Sequence, residues 1–210
     1  MRVLSVSSED ELSGLSLIHN KDINAVIWAR NIPETVQNWL DNLSVDELPE
    51  GRFVLKAENV GRCVNQLFKK AGHSPTPEQS WLAEDMSVLA RQLSQTLATV
   101  GLRLRFEAVT GDACRRFHVD DVQARLICSY SGPGTEYGVA DDGKLPEQIH
   151  RVPTGLPILL KGKQWPESQK SQLLHRSPPI AGLGIVRLVI VLEAAALDTQ
   201  ELSPYDTVFH

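Results

Sequence analysis

The segment "TPEQSWLAEDMSVLARQLSQTLATVGLRLRFEAV", residues 76–109, changes its hydrophobic period at Gly101. Thr76 and Gln79 form a capping-box pattern at its start, and Gly101 fits the end of a helix. Beyond Gly101, apolar and charged residues alternate over 102–108, as in a half-buried strand. The segment therefore predicts a helix followed directly by a strand. The predicted apolar stripe of the helix contains Leu82, Met86, Leu89, Leu93, Leu97 and Val100.

The chain beyond this helix is predicted to be mainly β. No long helical pattern occurs between 102 and 193, and clusters of Gly, Pro and Asp separate short apolar runs. Several strands at such spacing indicate a sandwich or a barrel. The further predicted strands are "RRFHVD" (115–120), "ARLICSY" (124–130), "LPILLKG" (156–162) and "VRLVIVLE" (186–193).

The N-terminal part, residues 1–100, is predicted to be rich in helix. Within it, "AVIWAR" (25–30) is typical of a strand, and "PETVQNWLDNL" (33–43) predicts a helix that begins at its proline. With 210 residues, the chain is expected to fold as a single domain. The β core is expected over 101–193, followed by a tail over 194–210.

The composition argues against several classes of protein. Hydrophobic residues make up 42% and charged residues 22%, which is ordinary for a globular protein. The net charge of −5 and the scattered arginines argue against nucleic-acid binding. The start of the chain does not resemble a signal peptide, and Arg187 and Glu193 interrupt the most apolar run, so we expect a cytoplasmic protein outside membranes. Its three cysteines form no C-x-x-C pair and are expected to be reduced.

A candidate metal site begins at His118-x-Asp120. Residues i and i+2 of a strand lie on one face, so the imidazole and the carboxylate would lie together. His175, at the end of the apolar stretch of "LLHRSPP", is the candidate third ligand, and it is favoured over His150, which has loop residues around it. Two imidazoles and one carboxylate with open positions are typical of non-haem Fe(II) oxygenases. The alternative is a hydrogen-bonded histidine beside a solvated aspartate. Cys114 is a weaker candidate ligand.

Arg187 follows His175 by twelve residues. If the connection folds back near Ala181, the two residues face each other on neighbouring antiparallel strands. A charge in an apolar strand needs a partner, which would be either a dicarboxylate co-substrate or an acidic neighbour. Tyr130 shares the parity of His118 and is a second candidate for contact with the co-substrate, against the alternative of a core tyrosine.

The order and spacing of His118, Asp120, His175 and Arg187 resemble those of the 2-oxoglutarate- and Fe(II)-dependent dioxygenases. More closely, "FHVDDVQARLICSYSGPGTEY" with "HRSPP" resembles a bacterial family known as domain of unknown function 1826. The broader resemblance implies a mainly β fold with helices packed on it, a double-stranded β-helix also called a jelly roll and related to cupins. It implies that the three ligands hold iron and that Arg187 binds the far carboxylate of 2-oxoglutarate.

The leading hypothesis is therefore an Fe(II)- and 2-oxoglutarate-dependent oxygenase that hydroxylates an unidentified substrate, a small molecule or otherwise. The alternative is a cupin-like protein that binds zinc or iron without redox chemistry. A zinc hydrolase with the same ligands is a third hypothesis, but it would require a general base that the sequence does not indicate. Arg125 is predicted to be an outer-face charge, and Glu136 is a weak candidate to orient a ligand. The sequence predicts no oligomeric state.

Overall fold

The computed structural model of the chain describes residues 2–7, 14–141, 143–166 and 173–197. Over these residues it is mainly β with a few helices, as predicted. Its strands are β1 (Arg2–Ser7), β2 (Ile23–Ala29), β3 (Gly51–Lys56), β4 (Gly101–Val109), β5 (Ala124–Ser131), β6 (Glu136–Val139), β7 (His150–Arg151), β8 (Pro157–Lys161), β9 (Leu173–Arg176) and β10 (Arg187–Ala194). Its α-helices are α1 (Glu34–Asn42), α2 (Val60–Lys70) and α3 (Pro77–Thr96), with short 3-10 turns at Gly14–His19, Val45–Glu47 and Ala57–Asn59.

The described strands form two sheets. The large sheet has the order β1-β2-β8-β5-β10-β4-β3, and the small sheet has the order β7-β6-β9. Neighbouring strands are antiparallel except for the parallel pair β1 and β2. β10 lies between β5 and β4, and its residues Arg187–Glu193 are all buried, which explains the continuous apolar run in this part of the sequence.

The two faces of the large sheet contact different neighbours. On β5, Leu126 and Cys128 belong to the core shared with the helices, whereas Ile127 belongs to a second core with Val152 and Leu173 of the small-sheet side. This alternation follows from the two-residue period of a strand. The large sheet therefore has helices on one face and the small sheet on the other.

Most of the predicted elements are confirmed. β2 and α1 occur where the N-terminal patterns indicated them, and β4, β5, β8 and β10 match the predicted strands. The N-terminal part also contributes β1 and β3 to the large sheet. The prediction of a strand over 115–120 is wrong, because only His118 makes a β-bridge there. The predicted tail over 194–210 lies mostly outside the described residues.

α3 ends earlier than predicted. Thr76 Oγ1 accepts a hydrogen bond from Gln79 N at 3.1 Å, but the Gln79 side chain donates to Asn65 Oδ1 at 2.9 Å, so only half of the capping box forms. At the other end, Ala98 has a φ of 50° and the Thr99 amide donates to the Ser94 carbonyl at 3.0 Å, which closes the helix as a Schellman motif. Gly101 therefore begins β4 rather than ending the helix, and Val100 is 65% exposed instead of buried.

None of the helices in the described part of the chain is long and apolar enough to cross a membrane.

A buried polar network fastens α3 to the large sheet. Arg30 Nη1 donates to Asp85 Oδ1, and the Tyr130 hydroxyl donates to the other carboxylate oxygen of Asp85 at 2.5 Å. Arg30 Nε donates to the Gly155 carbonyl at 3.1 Å. The Arg30 and Asp85 side chains are only 9% and 11% exposed, so each charge depends on the other for compensation.

Replacing Asp85 by Ala is expected to lower the free energy of unfolding by about 3–5 kcal/mol, because it leaves the Arg30 charge buried without a carboxylate. Tyr130→Phe removes one hydroxyl and should cost about 1 kcal/mol. Urea unfolding measures both. The control is Glu84→Ala on the same helix, whose ion pair with Arg91 is exposed and worth at most about 0.5 kcal/mol. Equal losses for Asp85→Ala and Glu84→Ala would contradict the assignment.

Candidate metal centre

Two backbone hydrogen bonds bring the two histidines together. The His118 amide donates to the His175 carbonyl at 3.0 Å, and the His175 amide donates to the His118 carbonyl at 3.0 Å. Such a pair in an antiparallel bridge places both side chains on one face. The ring centroids are accordingly 4.5 Å apart.

Asp120 completes the cluster. Its Oδ2 is 3.0 Å from His175 Nε2, and its Oδ1 is 3.4 Å from His118 Nε2. Ligand atoms of the three side chains all lie within 4.8 Å of one another, and among the described residues this is the group that could hold a metal ion. His175 and Asp120 are 5% and 7% exposed, whereas His118 is partly exposed. The cluster is therefore open to solvent on the His118 side.

The donor atoms suit a cation. His118 Nδ1 donates to the Arg116 carbonyl at 2.8 Å, which leaves the lone pair of Nε2 directed at the cluster. Burial lowers the pKa of His175 and so favours its neutral, ligand form. Asp120 Oδ2 is buried and accepts no well-oriented hydrogen bond in the described part of the protein, although His175 Nε2 lies 3.0 Å from it. A buried carboxylate oxygen without a hydrogen bond lowers the stability of the protein, and a bound cation would remove this cost.

The Asp120 carboxylate is held in its ionised form. Burial raises its pKa, but the adjacent imidazoles of His118 and His175 and the charge of Arg125 outweigh burial and hold the pKa well below its usual range. The hydrogen bond to Asp120 in turn raises the pKa of His118. The cluster therefore offers one full negative charge to a cation near neutral pH.

Arg125 lies inside this site, which corrects the prediction that it is an outer-face charge. Its Nη1 donates to Asp120 Oδ1, and its Nε and Nη2 donate to Glu193 Oε2 at 3.0 and 2.6 Å. Glu193 also accepts from Arg103 Nη1 at 2.5 Å. Arg125 therefore occupies one oxygen of Asp120 and leaves the other for a ligand. The signal in the sequence was parity, since Arg125 alternates with residues that face the helices.

Arg187 is buried and has no acidic partner among the described residues. It is 3% exposed, and its Nε donates to the Pro133 carbonyl at 2.8 Å. Its Nη2 donates to Ser129 Oγ at 2.9 Å and to Thr135 Oγ1 at 3.2 Å, and its Nη1 donates to Ser177 Oγ at 3.3 Å. All four acceptors are neutral, and burial lowers the pKa of Arg187 to about 10. The alternative of a salt bridge with an acidic neighbour does not occur among the described residues.

The predicted strand pairing of His175 with Arg187 is wrong. β9 belongs to the small sheet, where it pairs with β6, whereas β10 pairs with β4 and β5 in the large sheet. The two residues are nevertheless linked across the sheets, because Ser177, two residues after His175, accepts from Arg187.

Tyr130 does not reach this site. Its ring lies in the core shared with the helices, and its hydroxyl donates to Asp85. The predicted parity with His118 fails because residue 118 is not on the same strand as Tyr130. The prediction that Tyr130 contacts a co-substrate is therefore wrong. Tyr130 is a core tyrosine, as in the alternative, but the Asp85 side chain rather than the expected backbone group accepts from its hydroxyl.

The weaker candidates also lie outside the three-residue cluster. Glu136 accepts from Arg151 and Arg176 rather than from a ligand histidine. Cys114 is exposed and lines the cleft beside the cluster. His150 is exposed on β7 and stacks on Tyr137, with ring centroids 5.4 Å apart.

A narrow cleft borders the cluster at its two histidines. His118, His175, Arg125 and Arg187 line it, and its inner space of about 50 Å³ is enough for only a few water molecules. A larger ligand must therefore displace side chains or lie partly in the mouth of the cleft. A groove of about 590 Å³ lies beside Tyr137 and His150, but it contains neither Arg187 nor a residue of the cluster.

Comparison with solved structures finds a similar fold in several dioxygenases and oxygenases. Dioxygenase for auxin oxidation 1 from Arabidopsis thaliana, in a binary complex with 2-oxoglutarate, is 11% identical with a TM-score of 0.53, over 94% of this chain and 94% of that chain. The rice dioxygenase for auxin oxidation is 14% identical with a TM-score of 0.49, over 95% and 85%. An oxidoreductase of the 2OG-Fe(II) oxygenase family from Burkholderia pseudomallei is 12% identical with a TM-score of 0.43, over 92% and 95%.

At such identities the likeness shows the fold alone, and it is the Arabidopsis structure that carries it. No curated protein sequence matches the chain. A family model does match, over residues 9–193, and its description is protein of unknown function (DUF1826). The chain belongs to this family, as the resemblance of "FHVDDVQARLICSYSGPGTEY" and "HRSPP" indicated.

Arg125→Ala is expected to lower the free energy of unfolding of the metal-free protein by roughly 3 kcal/mol at pH 7, because Asp120 and Glu193 lose their shared partner. The lowered pKa of Asp120 stabilises the wild type above about pH 4, and this contribution is lost in acid, so the difference should narrow below pH 4. Urea unfolding at several pH values measures it. Arg103→Ala, which removes a half-exposed partner of Glu193, should cost at most about 1 kcal/mol. If the free energy of unfolding of Arg125→Ala differed from that of the wild type by the same amount at every pH, the electrostatic role of Arg125 would be contradicted.

Proposed function

We propose that this protein is a non-haem Fe(II)- and 2-oxoglutarate-dependent oxygenase that hydroxylates a substrate. The observation that carries the proposal is that one cleft is lined both by Arg187, a buried guanidinium with no acidic partner among the described residues, and by the two histidines of the His118, Asp120 and His175 cluster. The cluster can bind a cation, and the guanidinium can bind an anion. A metal-chelating dicarboxylate satisfies both.

The strand order supports a double-stranded β-helix. The order β8-β5-β10-β4 in the large sheet faces a second series formed by β7, β6, β9 and the bridge at His118. Two four-membered antiparallel series arranged in this way are the pattern of a jelly roll. His175 lies on β9 and His118 in the bridge, both in the second series, and Asp120 lies in the loop that follows the bridge. Arg187 lies on β10, in the first series. The site therefore lies between the two sheets.

His118, Asp120 and His175 would hold the metal. The available donor atoms are Nε2 of each ring and Oδ2 of the carboxylate. The Arg116 carbonyl already binds His118 Nδ1, and the Arg125 guanidinium already binds Asp120 Oδ1. Three protein ligands leave positions free for other molecules. When bound, ferrous iron supplies the redox chemistry by which O₂ converts 2-oxoglutarate to succinate and CO₂ and places its other oxygen atom in a substrate C–H bond.

The spacing of the two charged groups fits 2-oxoglutarate. Arg187 contacts Ser177, which follows His175 by two residues, and extended chain advances about 6.6 Å over two residues. The two carboxyl carbons of 2-oxoglutarate are separated by four C–C bonds of about 1.5 Å each, which span about 5 Å when extended. One end can therefore lie at the metal ligands while the other accepts hydrogen bonds from Arg187, Ser129 and Thr135. Arg187 then has the anionic partner that the protein alone does not provide.

Asp120→Ala is expected to abolish stoichiometric metal binding, because it removes the one anionic ligand. The measurement is metal content after anaerobic titration with Fe²⁺ and, separately, with Zn²⁺. Asp121→Ala, at the exposed neighbouring carboxylate, should bind metal as the wild type does. Equal metal content in both variants would refute the site.

Arg187→Gln is expected to keep the metal and to weaken 2-oxoglutarate binding at least about thirtyfold, which corresponds to the loss of one buried charged contact of about 2 kcal/mol. Calorimetric titration of the Zn²⁺-loaded protein measures the affinity, and Arg151→Gln, at an exposed arginine, is the control. Iron-loaded wild type should consume 2-oxoglutarate only in the presence of O₂. Tight metal binding with no effect of 2-oxoglutarate would favour the cupin-like metal-binding alternative instead.

A further inference from the structure

The cleft is positively charged although the chain is negative. Within the described residues, Arg105, Arg125, Arg176 and Arg187 line the cleft, and Glu107 is the one acidic residue in its lining. Ion pairs made directly by these residues add the guanidinium of Arg52 and the carboxylates of Asp120, Glu136 and Glu193. Five guanidinium groups thus meet four carboxylates, a formal charge of +1 in a chain of net charge −5.

The co-substrate and the metal do not remove this surplus. The two positive charges of Fe²⁺ cancel the two negative charges of 2-oxoglutarate, so the formal charge of the cleft stays at +1 when both are bound. A positive cleft with low-dielectric walls attracts and concentrates anions. The charge therefore has to be matched by another molecule or by solvent.

Arg105 contributes positive charge to the cleft at a position separate from the 2-oxoglutarate site proposed at Arg187. On β4 it is in register with Val191, and Arg187 lies four residues earlier on β10. Four residues of strand separate the two backbone positions by about 13 Å. The two guanidinium groups also have different partners, Glu107 for Arg105 and the oxygens of Pro133, Ser129 and Thr135 for Arg187. An anion at Arg105 would therefore be a second anion in the same cleft.

The hydrogen bonds of Arg105 are incomplete. Its Nη2 donates to Glu107 Oε2 at 2.8 Å, but its Nε is buried and has no partner in the part of the chain that the structure describes. Glu107 Oε1 already accepts from Arg52 Nε and Nη2 at 3.0 and 2.7 Å. One carboxylate is thus shared by two guanidinium groups, and a positive charge remains on the side of Arg105 that lines the cleft.

We infer that the primary substrate carries a carboxylate or phosphate group and that Arg105 binds this group, at a position distinct from the 2-oxoglutarate site at Arg187. The inference rests on the proposed function in so far as it assigns the bound anion the role of substrate. A guanidinium edge that includes Nε matches the two oxygens of a carboxylate or a phosphate. Arg176, which lies over the Phe117 ring at 4.5 Å, adds positive charge to the same cleft.

The test uses calorimetric titration of the full chain loaded with Zn²⁺ in place of iron and saturated with 2-oxoglutarate. The probes are phenyl phosphate and benzoate, which distinguish a phosphate from a carboxylate, with neutral benzyl alcohol for comparison. At least one anionic probe should bind, and benzyl alcohol should bind at least tenfold more weakly. Arg105→Gln should weaken the anionic probe at least tenfold and leave the affinity for 2-oxoglutarate within twofold of the wild type.

Arg52→Gln is the matched control. Arg52 is in register with Arg105 on the neighbouring strand and binds the same carboxylate, but its side chain is 63% exposed and does not line the cleft. It should change the affinity for the anionic probe by less than twofold. Circular dichroism and urea unfolding confirm that both variants fold.

Three results would overturn the inference: benzyl alcohol binding as tightly as the anions, equal losses in Arg105→Gln and Arg52→Gln, or loss of probe binding only in Arg187→Gln. Failure of the proposed function gives a different result. If Zn²⁺ or 2-oxoglutarate does not bind at all, the same titration on metal-free protein still decides whether Arg105 binds phenyl phosphate or benzoate. Binding that depends on Arg105 would then support an anion site, and its absence would refute one.

Discussion

The candidate site depends on one pair of backbone hydrogen bonds, those that join His118 to His175. Residue 118 lies in a loop and residue 175 lies on β9, so neither segment alone places an imidazole beside the other. The antiparallel bridge fixes both rings on one face, and Asp120 follows within reach of both. Main-chain hydrogen bonds thus define the geometry, and the side chains supply the chemistry.

Buried charge around this bridge is arranged in two different ways. Arg125 is fully compensated, because Asp120 and Glu193 accept from it, and it keeps the Asp120 carboxylate ionised and oriented. Within the part of the chain that the structure describes, Arg187 is compensated only by neutral oxygens, which leaves its buried charge unfavourable in the absence of an anion. The ion pairs of Arg125 stabilise the position of Asp120, whereas a buried arginine with neutral partners, such as Arg187, is typical of an anion-binding site. Their contrast within one cleft is the strongest argument for a functional role.

Much of the fold was predictable from the residues. The two-residue alternation in 102–108 and the apolar run of β10 correctly predicted strands, because side chains on a sheet alternate between faces or are buried on both. The end of α3 was not predictable from glycine, since Ala98 adopts the left-handed conformation and closes the helix instead. The stretch over 115–120 was mistaken for a strand because local pattern does not show whether a neighbouring strand is available for pairing.

The sequence by itself determined the order of His118, Asp120, His175 and Arg187, which resembles that of the 2-oxoglutarate- and Fe(II)-dependent dioxygenases. Its stretches "FHVDDVQARLICSYSGPGTEY" and "HRSPP" indicated the family that the family model shows. Only the tertiary structure decided that Arg125 pairs with Asp120 and that Arg187 has no acidic partner among the described residues, because ion pairing depends on distances between strands that are far apart in the chain. It also decided that Tyr130 faces the helices, since the parity of a residue is meaningful only within one continuous strand. The residue types that could bind a metal or an anion can be read from the sequence, whereas the ion pairs among them form only when the sheets fold.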